Sequence, residues 1–143
     1  MTIKRKLGVL LMTGMLSMGC MAGALASGIG VVDFNYLEQQ HPQFKHAVTT
    51  YQSSIQQYRT EYTQKSKKLN DAQKKQMIAD YNDKLNQQRV SLFQPIDKDV
   101  LNAINKVRAA KGLDYVAAKG YVLSSATQIV DVTSEVAKKV TNH

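Results

Sequence analysis

A mainly α chain with a small β body is what this sequence predicts, with a long antiparallel helical coiled-coil hairpin projecting from that short-stranded body. Two observations carry the reading. Phe44, Val48, Tyr51, Ile55, Tyr58, Tyr62 and Leu69 recur at alternating four- and three-residue steps, and Ile78, Tyr81, Leu85 and Leu92 repeat the spacing after a turn at Leu69-Asn70-Asp71. Short β-branched or aromatic runs flank this pattern on both sides, at Ile29–Phe34 and beyond Gly112. A narrow apolar seam between polar flanks marks a coiled coil rather than a helix buried in a globule. At 143 residues the chain is read as one domain.

The first 26 residues are read as a leader. Lys4, Arg5 and Lys6 precede an apolar stretch from Leu7 to Met18, and Ala24-Leu25-Ala26 offers the small-x-small pattern cut by signal peptidase. Export with cleavage after Ala26 is the expectation. Two alternatives stand beside it: lipidation of Cys20, and retention of the segment as an uncleaved anchor. Cleavage would remove the only cysteine, so disulfide and thiol chemistry would be lost with the leader. The whole chain carries a net charge of +8, and losing those three basic residues leaves about +5. A chain this basic favours polyanions, anionic lipid surfaces or acidic polypeptides.

The single domain 27–143 divides into a body, 27–41 and 96–143, and an arm, 42–95. Ile29 to Phe34 is apolar on both faces and reads as a short buried strand. Helix is expected from about Pro42, because proline suits a first helical turn. In the seam Lys65 fills one apolar slot. Asn70 and Asp71 suit both a reversal and a helix cap. Pro95 interrupts the returning helix and reads as a hinge, since it removes a backbone hydrogen bond and clashes with the preceding turn. Beyond it Ile96, Val100, Leu101, Ile104 and Val107 make a wider apolar face, as if the helix enters a packed body. Gly112 suits a C-cap. Tyr115–Ala118 and Tyr121–Ser124 read as strands around a tight turn at Lys119-Gly120, and Thr133 as the cap of a last helix with Glu135 in its first turn. Strand edges at Ile29–Phe34 and Tyr115–Ala118 would lack partners in a lone chain, which argues for self-association.

No residue cluster announces catalysis. His41 and His46 are five apart, do not stack on one helix face, and read as ordinary exposed histidines. Asp97 and Asp99 fall on different faces, Gly28-Ile29-Gly30 precedes a strand rather than following one, and no serine has a nucleophile elbow. No metal, cofactor or enzyme activity is expected. The tyrosines Tyr51, Tyr58, Tyr62 and Tyr81 read as seam packing, with the alternative that some rings offer apolar contact to a client. Lys65, Lys67, Lys68, Lys74 and Lys75 crowd the turn, with Asp71 opposing them. They form either a solvated tip or a basic grip for an acidic client or polyanion.

The run Gly112-Leu113-Asp114-Tyr115-Val116, then Tyr121-Val122-Leu123, then Asp131-Val132-Thr133 before an amphipathic tail, resembles the Skp/OmpH family of periplasmic chaperones when paired with Ile29-Gly30-Val31-Val32-Asp33-Phe34. The resemblance covers roughly Ile29 to Val140. It implies a homotrimer whose strands form a small central barrel, with Ile29, Val31, Phe34, Tyr115, Val116, Tyr121, Val122 and Leu123 in the trimer body. Three basic hairpins would surround a cavity that holds unfolded outer-membrane proteins. The implied function is an ATP-independent holdase, and some members also engage lipopolysaccharide, which adds lipopolysaccharide or an anionic membrane surface to the expected partners. Specific nucleic-acid binding is not expected. An envelope-anchored coiled-coil spacer and a nonspecific polyanion binder are the alternatives.

Overall fold

Asp33 is where the first strand becomes the first helix. The computed structural model describes residues 28–125 and 127–142, so the segment read as a leader, with Cys20 and Ala26, lies outside the described residues. Strand β1 (Ile29–Val32) is buried along its length, as its unbroken apolar run requires. Its outward end stops at Asp33, whose Oδ1 accepts the Tyr36 N–H at 3.0 Å and caps helix α1 (Phe34–Gln40). Phe34 therefore opens a helix instead of closing a strand.

His41 then takes the extended conformation common before proline. Pro42 sits in the resulting turn and helix α2 (Phe44–Lys65) starts two residues later than expected. A short 3-10 segment, Ser66–Lys68, closes α2. Helix α3 (Asp71–Lys111) returns antiparallel, and the two helices make the arm. Asn70 begins α3 with a reciprocal cap: its Oδ1 accepts the Gln73 N–H at 2.8 Å, while Gln73 Oε1 accepts the Asn70 N–H at 3.0 Å.

Pro95 does not interrupt α3, which runs unbroken for 41 residues. One missing backbone bond is a local cost, and the residues just beyond it offset that cost by burial. Ile96, Val100, Ala103, Ile104 and Val107 are buried in the body. Leu101, expected on the same face, is 51% exposed. Gly112 ends the helix in the left-handed region at φ 63°, and the next N–H, from Leu113, reaches back to the Arg108 carbonyl at 3.0 Å.

The sheet is three-stranded and parallel, in the order β2-β1-β3, with β2 at Tyr115–Ala118 and β3 at Ile129–Asp131. Ile29 is in register with Tyr115 on one side and Ile129 on the other. This corrects two expectations. Tyr121–Ser124 is not a strand, because a two-residue turn can return a strand only antiparallel, whereas β2 and β3 both run parallel to β1. Lys119 and Gly120 do turn the chain, with Gly120 at φ 94°, but they start a connector that crosses to the far edge of the sheet. The first strand, moreover, is central and paired on both sides. The open edges belong to β2 and β3.

Gly30 is required by close packing. A Cβ there would meet Leu113 Cδ1 at 2.8 Å and Val116 Cγ2 at 2.9 Å. Helix α4 (Thr133–Val140) closes the core, with Val132, Val136 and Val140 fully buried against Val32, Leu37, Ile96 and Val100. Thr133 is the first residue of α4 rather than its cap, and Val132 occupies the cap position without a side-chain bond. The Thr133 hydroxyl instead donates to Asp131 Oδ1 at 2.6 Å and accepts the Asp33 N–H at 3.1 Å. That contact ties the start of α4 to the end of β1.

Candidate functional site

The arm is held by aromatic side chains. At its root Phe93 meets Phe44 and Tyr51 edge to face, with centroids 6.1 and 6.3 Å apart. Midway, Tyr58 and Tyr81 stack at 4.7 Å. Phe44, Tyr51, Tyr58 and Tyr62 are all half-buried, which fits the seam read from spacing. On α3 the seam takes Met77, Tyr81, Leu85, Gln88 and Leu92, whereas Ile78 is 45% exposed. The heptad step had placed Ile78 inside; Met77, one residue earlier, carries that position. Tyr58, Tyr62, Ile78, Tyr81 and Leu85 line an open groove along one side of the arm, with Arg59 on its rim.

Tyr81 also belongs to a polar network near the tip. Its hydroxyl donates to Glu61 Oε2 at 3.0 Å, Lys65 Nζ reaches the same oxygen at 3.2 Å, and Gln57 donates to Oε1 at 3.0 Å. The Gln57 amide first, then Lys65 and Tyr81, hold the Glu61 carboxyl below its ordinary range. Glu61 in turn raises Lys65. Desolvation, followed by the bond to Glu61, pushes the Tyr81 phenol up.

The five lysines of the tip are thereby divided. Lys65 is matched by Glu61, and Lys74 lies 3.8 Å from Asp71. Lys67, Lys68 and Lys75 are exposed and make no ion pair among the described residues. The free positive charge is three lysines, at the extremity farthest from the body, and Glu61 joins Asp71 as an opposing acid that sequence reading overlooked.

The residues read as trimer body also divide. Ile29 and Val31 are buried in β1, while Phe34 and Val116 pack against the core of this one chain. Tyr115 is 52% exposed on the edge strand β2. Tyr121 and Leu123 are 84% and 95% exposed, with Val122 half-buried between them. Among the described residues nothing covers Tyr121 and Leu123, which leaves large apolar side chains exposed on the body.

At the arm's root lies a cluster that sequence reading missed. His41 is buried, not exposed, and its Nε2 lies 3.2 Å from Asp99 Oδ2. Its Nδ1 accepts the Gln43 N–H. One turn earlier on α1, Glu38 faces Asp97 of α3, and Asp97 Oδ1 is buried with no hydrogen-bond partner among the described residues. Burial first, then the Asp97 carboxyl beside it, push the Glu38 carboxyl up to about 7. Spacing showed Asp97 and Asp99 on separate faces; it could not show that each meets a different residue of a helix some 58 positions away.

Among the described residues no three His, Cys, Asp or Glu side chains converge as a metal cradle, and no helix is long and apolar enough to cross a membrane. No protein-family model matches this chain, and no curated protein matches it.

Proposed function

We propose that the chain is an ATP-independent holdase of the periplasm, acting on unfolded outer-membrane proteins in the manner of the Skp/OmpH family that it resembles. The observation that carries this reading is the division of labour along the molecule. A packed body ends in an uncovered apolar surface, and a slender arm sets three unmatched lysines at its far end.

The exposed side chains of Tyr121 and Leu123 and the edges of β2 and β3, unpaired among the described residues, support self-association, and the family resemblance makes the assembly a trimer. Trimerisation would bring three arms around one space. Each arm offers a groove of tyrosine rings and a basic tip, so a client is held by many weak contacts whose strength comes from effective concentration. Rings with polar hydroxyls give adaptable apolar contact without collapsing the arms on one another. Binding the unfolded state suppresses its aggregation by mass action, with no nucleotide required.

The test is dilution of a urea-unfolded outer-membrane β-barrel into the purified protein without ATP. The barrel stays soluble if the proposal holds. Unchanged aggregation at a stoichiometric excess of protein overturns it, and a monodisperse monomer by light scattering at micromolar concentration overturns the trimer.

A further inference from the structure

We propose that Glu38 and Asp97 share one proton as a clasp between α1 and α3, so that the body's grip on the root of the arm weakens as the pH rises past neutrality. Asp97 Oδ1 is buried and has no donor among the described residues. A buried acceptor left alone is costly, and the side chain facing it is a second carboxyl. Two adjacent carboxylates repel if both are charged. A single proton resolves both problems: Glu38 donates its O–H to Asp97, and the pair carries one negative charge.

Among the described residues no cation stands in place of that proton. On α1 the other titratable side chains are Tyr36 and, at the helix end, His41, which is engaged with Asp99. From α2, Lys45 and His46 are exposed. From α3, Lys98 is exposed one residue away, and Asp99 faces His41. From α4, which packs against α1, Glu135 is bound to Lys111 at 2.8 Å, while Lys138 and Lys139 are exposed. Asp97 alone among charged groups acts on Glu38, adding to burial in raising its pKa to about 7. Asp97 is also two residues beyond Pro95, where α3 lacks a backbone bond. The proton therefore holds the helix where its own ladder is weakest.

The sign follows from linkage. A group whose folded pKa is raised contributes stability fully present below its unfolded value, here 4.5, and lost as pH rises through about 7. The test uses the full chain. Its thermal midpoint is measured from roughly pH 5 to 8, alongside a carbon-13 NMR titration of the Glu38 carboxyl. The wild-type midpoint falls across that range, and Glu38 titrates near neutrality. Glu38→Gln, whose amide donates to Asp97 at every pH, removes most of the fall and melts above the wild type at the alkaline end. Asp97→Asn returns Glu38 toward an ordinary carboxyl. Titration of wild-type Glu38 near 4.5 overturns the proposal, as does a Glu38→Gln protein that keeps the wild-type slope. The NMR measurement needs no variant, so it decides the matter even if a substitution fails to fold.

Discussion

Tyr58 and Tyr81 stack across the arm with their rings 18° from parallel, and the Tyr81 hydroxyl reaches on to Glu61 of the facing helix. One residue thus supplies both an apolar and a polar tie between α2 and α3. The two are separable. Tyr81→Phe keeps the ring and loses the bond to Glu61, a small loss of stability because water can replace that bond. Tyr81→Leu loses the stack as well, a further ~0.5–1.5 kcal/mol. Urea unfolding of the three proteins gives that order, and hydrogen exchange places the loss in the arm.

Gly30→Ala destabilises the body by about 1–3 kcal/mol through overpacking, because the methyl group strikes Leu113 and Val116. Gly120 is the contrast. Nothing lies within 4 Å of a Cβ there, but φ is 94°, so Gly120→Ala costs ~1–2 kcal/mol through the backbone alone. Adding Leu113→Ala relieves Gly30→Ala and leaves Gly120→Ala unchanged, which a double-mutant cycle measures.

Asn70→Ala removes the cap that starts α3 and costs about 1 kcal/mol. The effect is local to the tip. Amide exchange quickens over residues 71–76, while the body amides keep their protection.

Pro95→Ala restores the backbone bond that α3 lacks in its first turn within the body. Exchange slows around the Ser91 carbonyl's new partner, and the urea midpoint rises. If proline at this position is a hinge, small-angle scattering also shows a narrower spread of arm orientations, and an unchanged profile removes that role.

Asp131 makes the opposite pH contribution to Glu38. The Thr133 hydroxyl first, then the Thr133 N–H and Lys119, lower its pKa to about 2. A depressed carboxyl contributes stability that is present above its unfolded value, 3.8, and lost as pH falls through about 2. Asp131→Asn flattens the acid limb of the stability profile and leaves the limb above pH 5 to Glu38.

The arm was legible in the sequence because a seven-residue repeat is long enough to outvote single exceptions such as Lys65. The reversal at Asn70 and the stop at Gly112 were legible because each does a job few side chains can do. The third strand was not. Tyr121-Val122-Leu123 and Ile129-Val130-Asp131 have the same local character, and only the parallel direction of the sheet selects the second. That direction depends on pairing with β1, which no local window contains. The Glu38–Asp97 and His41–Asp99 contacts were hidden for the same reason, since α1 and the root of α3 meet only after the arm has closed. Ile78 lost its seam position to Met77 because the contact turns on a single residue of helical phase.

The central place of β1 governs the order in which this molecule can assemble. Both of its partners lie on the far side of the arm, and Asp33 meets Thr133 across 100 residues. Loop closure over such a span is entropically expensive and slow, whereas the arm is a local hairpin with its own cap. The arm is therefore expected to form early, its closure drawing the two ends of the chain together. Until residues 129–140 have been synthesised and delivered, β1 has one neighbour at most and α4 cannot seal the core. The body is expected to be the last part to become native. A fluorophore pair at positions 33 and 133 would show its distance collapse after the arm's circular dichroism signal is complete.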